Sequence, residues 1–215
     1  TGGTDGLLSG TQAQLPINIP VTLGGNAISV LGDSASTGSQ ASTPASGAAT
    51  DDAAGTAPTT GGTDGVLSGT QVVAPIAAPV TAGGNAISVL GDSTSTGAST
   101  TSPAAGTADG AGPDTDGTNG VASGTQVASA LSVPLTVGGN AIAVLGDTSS
   151  TGATTTAPTT GGVGPALTGG DGGILGGTQL ALPIALPITL GGNAVSVVGE
   201  AYKNKPGTKT PGTDP

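Results

Sequence analysis

Several residue types are missing from this chain, and their absence excludes whole classes of chemistry. The 215 residues contain no Cys, Met, Trp, Phe or His, and Tyr202 is the only aromatic residue. Without histidine or cysteine, catalytic triads, thiol catalysis and the usual zinc sites are impossible. A core without aromatic residues must be built from Leu, Ile, Val and Ala, and we expect it to be thin. We therefore predict neither an enzyme nor a protein that depends on a cofactor.

Positive charge is also scarce, and it is confined to one end. The formal net charge is −10, and the 3 basic residues, Lys203, Lys205 and Lys209, all lie in the final segment. The rest of the chain should be repelled by nucleic acid and by anionic membranes, so we exclude both as partners. Prolines, glycines and polar residues interrupt every apolar run well short of the roughly 20 residues that span a bilayer. The sequence predicts no transmembrane segment.

Glycine and proline are abundant, with 42 and 16 residues respectively. Such a composition is typical of low-complexity chains. The hydrophobic fraction of 34% and the mean hydropathy of +0.19 are nevertheless too high for a purely solvated polymer. The chain begins at Thr1 and contains no Met, which suggests a processed precursor. We therefore expect an exported protein of the extracellular space, cell surface or cell wall.

A fourfold repeat organises the sequence. Each copy contains Gly-Thr-Gln followed by Gly-Gly-Asn, and the glutamine and asparagine are 14 residues apart in every copy, whereas successive copies are 59, 55 and 53 residues apart. Units of constant length between segments of variable length indicate folded modules on tolerant linkers. The predicted units cover residues 6–32, 65–91, 120–146 and 173–199. The segments between them, residues 33–64, 92–119 and 147–172, are predicted linkers, and residues 200–215 form a basic C-terminal tail.

Within a unit, large aliphatic residues alternate with polar residues, proline or alanine. This period of two predicts a β-strand with one apolar face, and the prolines exclude a helix. The two prolines in most copies have the same parity, so we expect them to blunt one strand edge and leave the other to pair. We predict an assembly face made of Leu15, Ile17, Ile19, Val21, Leu23, Ile76, Val80, Leu131, Val133, Leu135, Leu182, Ile184, Leu186 and Ile188.

The Gly-Gly-Asn segment separates this strand from a second, shorter extended stretch. Glycine and asparagine tolerate positive φ, so each unit is predicted to be a β-hairpin. The predicted fold class is all-β, with four β-hairpin repeats that pack on one another or on neighbouring chains, joined by irregular Ser/Thr/Ala/Gly/Pro-rich linkers. A lone hairpin cannot bury its own apolar face. The predicted turn residues are Gly25, Asn26, Gly84, Asn85, Gly139, Asn140, Gly192 and Asn193.

Carboxylates flank each unit. Asp33, Asp92, Asp147 and Glu200 follow the closing glycines, and Asp5, Asp64, Asp116 and Asp171 precede the apolar parts. One interpretation is a calcium site between adjacent units, because calcium prefers oxygen ligands. The interpretation that we favour is that these charges keep a sticky strand soluble. We therefore predict no metal among the site residues.

The order Ser-Gly-Thr-Gln-Val, two spaced prolines, and Gly-Gly-Asn-Ala-Ile-Ser-Val-Leu-Gly resembles the chaplin repeat of filamentous actinobacteria, most clearly over residues 68–91. The resemblance implies secreted, wall-associated proteins that self-assemble into amyloid-like fibrils and coat surfaces. Chaplins commonly carry a cysteine pair and a closing Asn-Pro-Ala-Phe-Gly-Asn segment, and this chain has neither.

We therefore predict a secreted structural protein that polymerises with itself through its apolar β repeats. The expected product is an extracellular filament or a hydrophobic cell-surface layer, with cell-wall polymers as a further partner. The alternative is an adhesin-like stalk that binds a carbohydrate or a cell surface. Ice binding through threonine-rich faces is disfavoured, because the threonines concentrate in predicted linkers.

Overall fold

The chain winds through four successive coils, each containing one repeat. The computed structural model describes residues 1–43, 58–102, 113–157 and 166–204, together with the backbone of residues 207–209. These residues form short strands and turns, and no helix occurs among them. The coils differ in length because the segments between these described ranges have different numbers of residues.

The strands recur in the same order in each coil. The first coil contains β1 (Gln12–Gln14), β2 (Ile17–Asn18), β3 (Val21–Gly24), β4 (Ala27–Leu31), β5 (Ser34–Thr37) and β6 (Gln40–Ser42). The second contains β7 (Thr59–Gly61), β8 (Gln71–Val73), β9 (Ile76–Ala77), β10 (Val80–Gly83), β11 (Ala86–Leu90), β12 (Ser93–Thr96) and β13 (Ser99–Thr101). The third contains β14 (Asp114–Asp116), β15 (Gln126–Ala128), β16 (Leu131–Ser132), β17 (Leu135–Gly138), β18 (Ala141–Leu145), β19 (Thr148–Thr151) and β20 (Thr154–Thr156). The fourth contains β21 (Leu167–Gly169), β22 (Gln179–Ala181), β23 (Ile184–Ala185), β24 (Ile188–Gly191), β25 (Ala194–Val198), β26 (Ala201–Asn204) and β27 (Gly207–Lys209).

Every strand pairs in parallel with its equivalent in the adjacent coil, and never with its own neighbour along the chain. In the sheet β3-β10-β17-β24, for example, Val80 is in register with Val21 on one side and with Leu135 on the other. Seven such sheets run along the molecule in the order of the coils. This arrangement is a parallel β-solenoid, in which each repeat contributes one rung.

The prediction of an all-β repeat fold is confirmed, but the pairing inside a repeat differs from a hairpin. The strands β3 and β4 on either side of the first Gly-Gly-Asn belong to different sheets. Identical repeats provide identical hydrogen-bonding edges, so a strand finds its best-matched partner one coil away. The prolines do not restrict pairing to one side either, because β10 pairs on both of its edges. The N–H of Val80 donates to the carbonyl oxygen of Pro20 at 2.8 Å, so a proline takes part as an acceptor.

Strands also occur in segments that the composition indicated as irregular linkers. Residues 34–37 and 40–42 form β5 and β6, and their equivalents recur in the next coils. Their serine and threonine side chains are short enough to pack inside the solenoid and bond the chain opposite. The parts of the predicted linkers at residues 44–57, 103–112 and 158–165 lie outside the described residues, as do 205–206 and 210–215 of the tail.

The interior is narrow and lined with small or polar residues. The strand β3 lies opposite β6, and β4 lies opposite β5. A Cβ atom added to Gly83 would lie 2.3 Å from the Cβ atom of Ala41, which shows how closely the two walls approach. Among the described alanine, valine, leucine and isoleucine residues, the buried ones are all alanines: Ala41, Ala86, Ala98, Ala128, Ala130, Ala141, Ala143, Ala153 and Ala157.

The prediction of a core built from Leu, Ile, Val and Ala is therefore wrong for the three large residue types, because of these four only alanine is buried in the part of the chain that the structure describes. The alternation of side chains is present as predicted, but the polar and small residues point inward and the large aliphatic residues point outward. Thr22, for example, is half-buried between the exposed Val21 and Leu23. A wall spacing set by glycine and alanine leaves no room inside for leucine or isoleucine.

Candidate assembly surface

The outer surface of β3 and β4, with their equivalents in the other coils, is a sheet of large aliphatic side chains that we call the aliphatic wall. In the first coil it exposes Val21, Leu23, Ile28, Val30 and Leu31, which are 61–76% accessible. In-register pairing stacks each side chain on its equivalent, as in the column Ile28, Ile87, Ile142 and Val195. Soluble monomers rarely expose an apolar surface of this extent, and such surfaces mark sites of interaction.

The structure places the predicted assembly residues on the outside of the solenoid. Those of the first and fourth coils are exposed: Leu15, Ile17, Ile19, Val21, Leu23, Leu182, Ile184, Leu186 and Ile188. Those of the inner coils are half-buried between their neighbours: Ile76, Val80, Leu131, Val133 and Leu135. Pairing brings them into columns such as Ile17, Ile76, Leu131 and Ile184.

Sequence reasoning missed the contribution of β4 to this surface. Ile28 is 74% and Leu31 is 76% exposed, the latter value among the highest of the large aliphatic residues. The sequence carries the signal, because Ile28 and Val30 alternate with Ala27 and Ser29. Because we predicted this stretch to be the short arm of a hairpin, we did not assign it an exposed face.

The opposite side of the molecule is covered with hydroxyl groups. The outward positions of β5, β6 and their equivalents in the second and third coils are Ala35, Thr37, Gln40, Ser42, Thr94, Thr96, Ser99, Thr101, Ser149, Thr151, Thr154 and Thr156. We call this surface the hydroxyl wall. The solenoid is therefore two-sided, with an apolar wall and a polar wall separated by a thin interior.

A continuous asparagine ladder follows the Gly-Gly-Asn corners. The side-chain Nδ2 of Asn85 donates to Oδ1 of Asn26 at 2.8 Å, Asn140 donates to Asn85 at 2.8 Å, and Asn193 donates to Asn140 at 2.8 Å. The same oxygens accept backbone N–H groups at 3.1–3.2 Å. These predicted turn residues hold the coils in register.

A glutamine ladder and a set of serine hydroxyls reinforce this register. The Nε2 of Gln126 donates to Oε1 of the buried Gln71 at 3.1 Å, and Gln179 continues the ladder at 3.0 Å. The hydroxyls of Ser95 and Ser150 donate across the interior to the carbonyl oxygens of Gly84 and Gly139, both at 2.7 Å. Interior polar groups therefore connect coil to coil and wall to wall.

The second glycine of each Gly-Gly-Asn has to be glycine for two reasons. Gly25, Gly84, Gly139 and Gly192 have φ of 63°, 70°, 69° and 67°. A Cβ atom on Gly84 would also lie 2.3 Å from the Cβ atom of Ala98 in the facing corner. The segment is thus a corner between two sheets in which the walls touch, and its glycine provides both the turn and the clearance.

The carboxylates after each unit form a column with a structural role. Oδ1 of Asp33 accepts the backbone N–H of Asp92 at 2.9 Å, and Asp92 accepts that of Asp147 at 2.9 Å. Oδ1 of Asp147 accepts the N–H of Glu200 at 2.8 Å. No group of three or more residues that could hold a metal ion comes together in the part of the chain that the structure describes. The calcium interpretation gains no support from these positions.

The second set of carboxylates does not share a column. Asp116 is in register with Gly61 and Gly169, whereas Asp5 and Asp64 occupy a turn at φ of 55°. The hydroxyl of Thr118 donates to Oδ1 of Asp116 at 2.6 Å, and its backbone N–H does so at 3.0 Å. These two bonds lower the pKa of Asp116 below its usual value.

The fold and this surface define a class: a repeat β-solenoid that carries an exposed aliphatic wall. The family model described as ChpA-C matches residues 1–43 and 45–101, just under half of the chain. This match supports a relation to the chaplin family and is consistent with a non-enzymatic structural surface protein. Comparison with curated proteins and with solved structures finds no match. None of the described residues forms a helix that is long and apolar enough to cross a membrane.

Proposed function

We propose that this chain is a secreted structural protein that self-assembles through its aliphatic wall into extracellular filaments or a hydrophobic cell-surface layer. The observation that carries the proposal is the outward position of nearly all large aliphatic side chains. Ile28 and Leu31 are 74% and 76% exposed, whereas alanine is the only aliphatic residue type buried among the described residues. Burial of this exposed apolar surface would stabilise an assembly by about 25 cal/mol per Å².

The two-sided architecture supports a layer in particular. An apolar wall can face air, oil or the same wall of another copy, while the hydroxyl wall stays in contact with water or hydroxyl-rich polymers of the cell wall. No charged residue lies in β3, β4 or their equivalents in the other coils, so little charge on the aliphatic wall opposes close packing of copies. The family match agrees with a structural role at a surface.

Charges placed on the aliphatic wall should abolish adsorption and side-by-side association, which depend on this wall. We expect Val80→Asp combined with Val144→Asp to prevent adsorption to an air–water interface and lateral association, because two carboxylates would have to be desolvated. Pendant-drop tensiometry and light scattering measure the two effects. The matched control is Thr96→Asp with Thr154→Asp, which adds the same charge to the hydroxyl wall of the same two coils.

The control should behave as the native chain. Equal adsorption and equal scattering for both double variants would contradict a function based on the aliphatic wall. Retention of the β spectrum in far-UV circular dichroism shows that each variant is folded.

A further inference from the structure

We infer that copies of this chain add end to end, so that the fourth coil of one molecule pairs with the first coil of the next and the solenoid continues along the filament. The partner is a second copy of this chain, and the surfaces are the edges of the first and fourth coils that no other described coil covers. The inference rests on the self-assembly proposed above and assigns its growth axis and its polarity.

The first coil presents N–H donors that no other described coil uses. Between coils, the N–H of Ile76 donates to the carbonyl oxygen of Pro16 at 2.8 Å, and the N–H of Val80 donates to that of Pro20 at 2.8 Å. Leu135 and Ile188 repeat the bond in the following coils at 2.9 and 2.8 Å. The corresponding N–H groups of Ile17 and Val21 point away from the second coil, towards an edge that no other described coil covers.

The fourth coil presents the matching acceptors at the other end. By the same register, the carbonyl oxygens of Pro183 and Pro187 face outward, as those of Pro16 and Pro20 face the second coil. An incoming first coil would therefore meet the same groups, in the same order, that each inner coil already meets. Repetition of the sequence makes the two ends complementary.

The asparagine ladder ends with the same complementarity. Oδ1 of Asn140 accepts the backbone N–H of Asn193 at 3.1 Å and its Nδ2 at 2.8 Å. Oδ1 of Asn193 occupies the equivalent place at the end of the ladder. The N–H and Nδ2 of Asn26 from the next copy would complete it.

Proline gives this junction a direction. Pro183 and Pro187 have no N–H, so the fourth coil accepts along β23 and β24 but cannot donate at these positions. Two fourth-coil edges therefore pair poorly with each other, whereas the first-coil edge supplies the missing donors. A head-to-tail contact that does not close generates an open filament.

One strand of the fourth coil departs from the pattern. Lys203 stands where the other coils have Ser36, Ser95 and Ser150, and it is exposed. It interrupts the serine column at this end. The junction that we propose therefore consists of β22–β25 against β1–β4, with the edge of β26 outside it.

The test uses two variants, each of which prevents the junction at one end of the solenoid. Val21→Pro removes a donor that only an incoming fourth coil would use, and Ala194→Pro removes the N–H that would donate to Asn26 of the next copy, as Ala141 donates to Asn193 at 2.7 Å.

Val21→Pro and Ala194→Pro are each introduced into the Val80→Asp, Val144→Asp background, where association through the aliphatic wall is suppressed. In this background we expect each variant alone to remain monomeric in analytical ultracentrifugation. An equimolar mixture should form dimers and nothing larger, because only one junction can form. The matched control, Val21→Ala, keeps its N–H and should polymerise.

Polymerisation of either proline variant, or a mixture that stays monomeric, would overturn the inference. The measurement is independent of the aliphatic wall, since the charged wall variant above should still form dimers and longer chains along the axis. Failure of the proposed function and failure of the end-to-end junction are therefore distinguishable.

A second variant avoids proline in case it disturbs folding. Asn26→Asp combined with Asn193→Asp places one carboxylate at each end of a molecule, so that they face each other only across a junction. We expect filaments at pH 3, which is below the ordinary aspartate pKa of about 3.9, and none at pH 7. Filaments of equal yield at both pH values, as judged by electron microscopy beside the native chain, would refute the junction.

Discussion

Small side chains set the thickness of this solenoid, one position at a time. The facing corners touch at Gly84 and Ala98, and again at Gly139 and Ala153, where an added Cβ would lie 2.3 Å from its neighbour. Side chains too large for this gap are turned outward. The exposed aliphatic wall and the narrow polar interior therefore have the same cause.

A recurring backbone strain follows the first turn of each coil. Leu8, Leu67, Ala122 and Leu175 have φ between 52° and 58°, a region that costs residues with a side chain about 1 kcal/mol or more. We expect Ala122→Gly to raise the free energy of unfolding by about 1 kcal/mol, because glycine adopts this conformation without strain. Chemical denaturation measures the change. The control, Ala143→Gly in the buried part of β18, should lower stability, and a loss of stability at both sites would contradict the prediction.

The bonds from Thr118 should control the ionisation of Asp116. Because they lower the pKa of this carboxyl in the folded state, its small contribution to stability is present above its ordinary pKa and is lost as the pH falls through the lowered value. Thr118→Val removes the hydroxyl donor, so the pKa should rise towards the ordinary value. An NMR titration of the carboxyl carbon would detect this, and an unchanged midpoint would show that the hydroxyl has no part in it.

At the scale of elements, side-chain ladders fix the register of the strands, which strand pairing alone specifies only weakly. The strands have two to five residues, too few to specify an alignment by themselves. Asn140 is 5% exposed and bonds to Asn85 on one side and Asn193 on the other. Each ladder residue therefore satisfies the amides of its two neighbours, and a break inside the ladder leaves buried groups without partners.

Interruption of the ladder should cost more in the middle than at its end. We expect Asn140→Ala to lower the free energy of unfolding by about 1–3 kcal/mol. The backbone N–H and Nδ2 of Asn193 lose their acceptor, and Oδ1 of Asn85 loses one of its two donors. The exposed Asn26 is the control, and Asn26→Ala should cost clearly less. Urea denaturation compares the two, and equal losses would mean that the ladder does not act as a unit.

At the scale of the whole molecule, assembly should need little refolding. The strands already run across the solenoid axis and stack along it in seven sheets. If filaments grow along this axis, fibre diffraction should show the roughly 4.7–4.8 Å strand spacing along the filament direction. The far-UV circular dichroism spectrum should change little between monomer and filament. A monomer without β signal that acquires it on assembly would show instead that the solenoid forms only in the polymer.

Much of this architecture is determined by the sequence alone. Four copies with a constant separation of glutamine and asparagine predict a repeat protein, and the alternation around Ile17 and Ile184 predicts strands with an apolar face. The same pattern indicates the residues of the assembly face, whose function remains a prediction. The absence of histidine and cysteine excludes several kinds of catalytic and metal site on chemical grounds alone, whatever the fold.

Two features of the molecule are determined only by its tertiary structure. A period of two identifies which residues share a face, but it does not say which face is buried. The approach of β3 to β6 shows that Thr22 points inward, and the approach of β10 to β13 shows the same for Thr81. Local patterns around Gly25 and Asn26 likewise fit a hairpin and a corner equally well. The choice of a parallel partner a full coil away depends on the identity of distant repeats, and the serine-rich strands β5 and β12 acquire their order only from the wall that they face.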